Sequence, residues 1–140
     1  MSLSLLKLTP SEWSASAANA HIAAFDEKPP VGFDNIDAAL LIVNTIIDKP
    51  IVYITVKDLG NGEIYLKHGG AFDLAKNSTW VFSAYRLAIA HLSESYNKLS
   101  TLVHNTNVRY LKMALSVGFK VTGMKVIEGN LLLELTMETH

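Results

Sequence analysis

"HNTNVRYLKMALSVGFKVTG" occupies residues 104–123. Asn107 stands where its side chain can accept a backbone N–H and open a helix. That helix runs from about Val108 to Val117, with Leu111 and Leu115 on its buried face. Gly118 can take a positive φ and stop it, and Phe119 then enters the core as an extended segment begins. Taken alone, the stretch is a helix with well-made ends. Its further meaning depends on the elements around it.

Upstream, "LSTLV" (99–103) is a short strand, and before it lies the longest helix of the chain. Ser78 or Thr79 can cap that helix, and Val81, Tyr85, Ala88, Leu92 and Tyr96 recur at helical spacing. Three strand-like segments precede it. "AALLIVNT" (38–45) is a nearly unbroken apolar run, "IVYITVKD" (51–58) is rich in β-branched and aromatic residues, and "EIYLKHGG" (63–70) follows the glycine turn "LGNGE". Gly69 and Gly70 suggest a bulge or a close backbone approach there. Near the start, T-P-S-E (9–12) is a capping box with proline at the first helical position, and the helix it opens extends to about Phe25. A polar loop spans 26–35, and a short strand "SLLKL" can precede the first helix. Downstream, "KVTGMKVI", a Glu-Gly-Asn turn and "LLLELTME" form a hairpin. The order is (β)αβββαβαββ, a single α/β domain over residues 1–140 with a mixed sheet.

Composition narrows the classes. The chain has 140 residues, 49% hydrophobic and 18% charged, enough to bury a core, and a formal net charge of −1. No basic block points to nucleic acid or an anionic membrane surface. The absence of cysteine excludes a disulfide scaffold, a thiol nucleophile and a thiolate metal site. No apolar run reaches the ~18 residues of a membrane span, so a cytoplasmic protein is expected. No H-E-x-x-H, G-x-S-x-G, G-x-G-x-x-G or Walker pattern occurs, and the five histidines are too dispersed to suggest a metal site.

The order of elements, with Val103, Asn107, Gly118 and Phe119 at their spacing, resembles the GNAT superfamily of acyl-CoA-dependent N-acyltransferases. "YLKHGGAF" followed by a helix also resembles acetyltransferase-like proteins of phages. The resemblance runs from about Ala38 to Met137. It implies a GNAT-like fold in which strands 63–70 and 99–103 are parallel neighbours that splay apart, and transfer of an acetyl or related group from acetyl-CoA to a primary amine by direct attack. The acceptor, a small molecule or a protein amine, is left open, as is a homodimer.

The resemblance also assigns places in the site. Backbone N–H groups around Leu66, Lys67 and Gly69 would meet the pantetheine arm and steady the thioester oxygen. Lys76, Asn77, Ser78 and Thr79 stand where the family has a glycine-rich pyrophosphate loop, yet none is glycine; they serve equally as a plain N-cap. Asn107 is carried over as the family's asparagine. The family's tyrosine, seven residues on, is Ala114 here, and Tyr110 on the same helix is the nearest substitute, or simply a half-buried tyrosine. An ammonium with a pKa of about 10.4 must lose a proton before it attacks a thioester, so a base is required. His68 and His104 flank the expected splay, with Glu63 a weaker candidate that also fits its turn. The missing glycines and Ala114 equally support a GNAT-like domain that has lost catalysis and acts as a binding or structural module.

Overall fold

A computed structural model of the chain describes residues 2–13, 36–71 and 78–139. Seven strands, β1 (Leu3–Leu8), β2 (Ala38–Asn44), β3 (Lys49–Gly60), β4 (Glu63–Ala71), β5 (Lys98–His104), β6 (Lys120–Ile127) and β7 (Asn130–Glu138), form one sheet in the order β1-β2-β3-β4-β5-β7-β6. Helix α1 is described over residues 10–13, α2 spans Ser78–Ser95 and α3 spans Val108–Val117. The α/β class and mixed sheet expected from sequence are both present. Packing groups the chain into two units, Met1–Lys57 with Lys67–Ala88, and Asp58–Leu66 with Ile89–His140.

In the first unit, β1, β2 and β3 make an antiparallel meander, running from Leu3↔Asn44 to Leu8↔Ala39 and from Ala38↔Val56 to Asn44↔Lys49. The capping box forms as read: Glu12 N–H donates to Thr9 Oγ1 and Thr9 N–H donates to Glu12 Oε1. The Thr9 N–H first, and the Thr9 hydroxyl after it, hold the Glu12 carboxyl below its usual range. One residue on, Trp13 is 1% exposed and stacks tilted on Tyr53, 5.3 Å between ring centroids, beside Ile36 and Ala39. The remainder of the expected first helix, to Phe25, and the loop 26–35 lie outside the described residues.

The second unit carries the parallel pair. Strand β4 pairs with β5 from Glu63↔Lys98 to Leu66↔Thr101, and β5 pairs antiparallel with β7 from Lys98↔Glu138 to His104↔Leu132. The two segments are therefore parallel neighbours, joined through a helix as parallel strands require. The β6–β7 hairpin closes on Glu128 (φ 51°) and Gly129 (φ 80°), a two-residue turn with both φ positive, and a bulge lies between Val121 and Gly123. As the outer strand, β6 is largely exposed, with Met124 and Val126 open to solvent.

The opening stretch folds as its caps dictate. Asn107 Oδ1 accepts from Tyr110 N–H at 3.2 Å. At the other end Gly118 sits at φ 118°, its N–H bonded to Leu115 O, while Phe119 N–H reaches Ala114 O. One expectation changes: Leu115 is 47% exposed, and the fully buried residue of α3 is Ala114. The burial follows a phase through Leu111, Ala114 and Val117, because a methyl side chain lets the helix approach its packing partners closely.

Two outcomes follow. Gly118→Ala should lose about 1–2 kcal/mol in urea unfolding, since φ is left-handed and the new Cβ would meet Met137 Sδ at 3.2 Å; unchanged stability would mean the cap relaxes freely. Burial also pushes the Tyr53 phenol up to about 12, above ~10 in the unfolded chain. The folded state thus keeps its proton to higher pH, so this contribution is complete below pH ~10 and lost as pH rises through about 12. Tyr53→Phe should flatten that alkaline loss in melts taken between those pH values.

Candidate active site

The end of the β4–β5 ladder is fixed by a side chain. Thr101 is 4% exposed, and its hydroxyl donates to Leu66 O at 3.0 Å, at the last register the two strands share. Beyond it β5 continues to His104, held on its other side by β7. One strand residue earlier, the alternation of side chains sorts the two faces of the second unit. Ile64, Leu66, Leu99, Thr101, Val103 and Leu135 are buried on one face. The other face carries Glu63, Tyr65, Lys98, Ser100, Leu102, Glu134 and Thr136, which with Leu59 and Lys125 line a pocket of about 400 Å³.

The registers Tyr65↔Ser100 and Ser100↔Thr136 place three hydroxyl-bearing residues in a row across β4, β5 and β7. Ser100 donates to Glu63 Oε2 at 3.1 Å, and Lys98 Nζ lies 3.9 Å from Glu63 Oε1. Lys125 Nζ lies 3.4 Å from Glu134 Oε2. Partial burial raises the Tyr65 phenol above its ordinary value, which keeps it a neutral hydrogen-bond donor.

The residues singled out from sequence fall as follows. His104 follows Leu102 on the pocket face of β5. Thr106 N–H approaches His104 Nδ1 at 3.3 Å and the Thr106 hydroxyl approaches it at 2.6 Å, while Nε2 faces Asn130 Oδ1 at 3.3 Å. With Nδ1 accepting, Nε2 carries the proton and donates to Asn130, so both nitrogens tie the end of β5 to its own loop and to the β6–β7 turn. His68, Leu66, Lys67 and Gly69 all belong to β4. A Cβ on Gly69 would stand 3.4 Å from Tyr53 O, an ordinary van der Waals contact, within an unbroken strand. Asn107 caps α3, and Tyr110, half-buried, sits in its first turn. Ser78 opens α2 and Thr79 is exposed beside it, with no acidic residue in the first turn. Lys76 and Asn77 lie outside the described residues. Tyr65, Ser100 and Thr136 escaped sequence reading because their common face is set by register; the period-two pattern Glu63-x-Tyr65 was the available signal. Among the described residues, no group of three His, Asp or Glu could hold a metal ion, and no helix is long and apolar enough to cross a membrane.

Several solved structures similar to this chain are acetyltransferases. Over 99% of this chain and 94% of the other, it matches the ribosomal-protein-S18-alanine N-acetyltransferase of Escherichia coli, at a TM-score of 0.76 and 11% identity. The chain has the GNAT fold. A GNAT family acetyltransferase of Elizabethkingia anophelis with acetyl-CoA bound matches over 97% of each chain, at 0.72 and 14% identity. A spermidine N-acetyltransferase chimera built from the Vibrio cholerae enzyme matches over 99% and 96%, at 0.74 and 13% identity. No protein-family model matches the chain, and no curated protein matches it by sequence. The likeness is thus one of GNAT architecture, carried at identities too low to transfer individual residues.

Thr101→Val should cost about 1–3 kcal/mol in chemical unfolding, because it leaves the Leu66 carbonyl without that buried donor. Thr101→Ser should recover most of the loss. Equal stability of all three would show that the ladder's end does not depend on this bond.

Proposed function

We propose that this chain is an acetyltransferase of the GNAT superfamily that moves an acetyl group from acetyl-CoA to an amine. The observation that carries the reading is the parallel β4–β5 pair, ending at Leu66↔Thr101 and connected through α2, within a fold that matches N-acetyltransferase structures at TM-scores of 0.76 and 0.72. When bound, acetyl-CoA supplies the activated thioester. On β4, the backbone from Leu66 to Gly69 would hold the pantetheine arm by strand-like hydrogen bonds, and Gly69 keeps side-chain bulk away. The start of α2 fits an anion in one respect, since no acidic residue in its first turn offsets the positive end of an 18-residue helix. Lys76, Asn77, Ser78 and Thr79 would meet the pyrophosphate there without glycines.

The acceptor must reach the thioester as a neutral amine. His104 spends both nitrogens on local bonds and acts by holding the β5 end against the hairpin turn. His68 is then the base that takes the amine proton. Tyr110 would return a proton to the departing sulfur, one helical turn before the place that Ala114 fills. Asn107 serves by fixing the first turn of α3 that carries Tyr110. Ala114 is fully buried, which favours a second reading, a GNAT-fold binding module without turnover.

Titration with acetyl-CoA separates the two. Weak binding that fades as salt rises and is lost in Lys76→Ala is expected, because several charge-assisted bonds of about 1.5–3 kcal/mol each are missing without the glycine loop. His68→Ala should then lower turnover by roughly 10²–10⁴-fold at unchanged cofactor affinity. No binding in dilute buffer would favour the module, and full activity in both His68→Ala and His104→Ala would move the base elsewhere.

A further inference from the structure

The hydroxyl row and its flanking charges specify more than an open face. Three features constrain an occupant. First, the pocket of about 400 Å³ falls within the size usual for small-molecule sites. Second, each carboxylate already has a cation within 4 Å: Glu63 with Lys98 and Glu134 with Lys125. The four charged groups that face the pocket therefore sum to zero. A polycation would find no uncompensated acid there, and a polyanion no uncompensated base. Third, Leu59, Leu102 and the Tyr65 ring give the same pocket an apolar wall.

A ligand carrying one ammonium, one carboxylate and a compact apolar body satisfies all three. It exchanges the Glu63–Lys98 pair for two, leaves Glu134–Lys125 intact, and has no charge left over. The loose 3.9 Å separation of Lys98 and Glu63 is the natural point of entry, since Ser100 already orients Glu63 through its second oxygen. Resting on the acetyl-transfer reading, we infer that the acceptor is a zwitterionic α-amino acid with an apolar side chain. Its ammonium bonds to Glu63, its carboxylate pairs with Lys98, and its side chain lies along Tyr65 and Leu102. Tyr65 Oη and Thr136 Oγ1 are the hydroxyls left to bond the ligand's carboxylate. Acetylation forms the amide N–C bond and breaks the thioester C–S bond; of the two protons that the ammonium loses, one passes to the base and the other is balanced by the proton that the departing thiolate gains.

Three probes distinguish this from other amines: L-leucine, L-leucinamide, which keeps the ammonium but lacks the carboxylate, and spermidine. CoA release from the full chain should give kcat/KM for leucine roughly tenfold or more above the other two, the worth of one charge-assisted bond. Lys98→Ala should erase the leucine-over-leucinamide preference, which a purely structural lysine would leave intact. Glu63→Gln should lower kcat/KM for all three. Amide NMR shifts at residues 63–66 and 98–102 on adding leucine alone read the pocket without acetyl-CoA. Such shifts together with no acetyl-CoA binding would keep the pocket's ligand class and sink acetyl transfer. Acetyl-CoA binding without those shifts, a preference for spermidine or leucinamide, or an undiminished preference in Lys98→Ala would overturn the inference.

Discussion

The hydrogen bond from the Thr101 hydroxyl to Leu66 O closes the parallel β4–β5 ladder, and the order of the strands beyond it is built on that ladder. Parallel strands cannot be joined by a tight turn, so β4 and β5 demand a long crossover, and α2 supplies it. Once β5 is fixed beside β4, its other edge is free for β7, and β6 can only lie outside. The alternation of side chains then follows without further choice. Leu99, Val103 and Leu135 go to the buried face, while Lys98, Ser100 and Leu102 go to the open one.

What could be read from sequence was whatever is encoded locally. The caps at Thr9, Asn107 and Gly118 each depend on a side chain or a dihedral within a few residues, and all three form. Strand positions were equally legible, with ends moving by one or two residues as pairing partners extended them. Even β1, weak in sequence, is present because β2 offers it an edge. The departures are tertiary. Leu115 obeys helical spacing yet is exposed, since the helix rolls to seat Ala114. The row Tyr65, Ser100 and Thr136 spans three strands far apart in the chain, and only the register brings it together. His104 stands just past Val103, where the sequence places it. Its bonds to Thr106 and Asn130 depend on a hairpin turn that nothing near it in sequence announces.

The fold persists at 11–14% identity to its structural neighbours. Such divergence is physically reasonable because the architecture rests on pattern and on backbone pairing, which many sequences satisfy. Chemistry is less tolerant, since it needs given groups at given places. Helix starts illustrate the difference: hydroxyl and amide residues cap a helix as well as glycine-rich loops do, but they leave less room for a phosphate to approach the backbone.

The outer strand β6 has a consequence for life at high concentration. Exposed sheet edges invite pairing with neighbouring molecules, and one displaying Met124 and Val126 would be a strong template for it. Lys120 sets a positive charge on that edge, and the bulge between Val121 and Gly123 breaks its pleat. A second molecule approaching edge to edge meets like charge and a mismatched spacing of donors. The kink that disturbs the hairpin's regularity thus doubles as a guard against fibrous assembly.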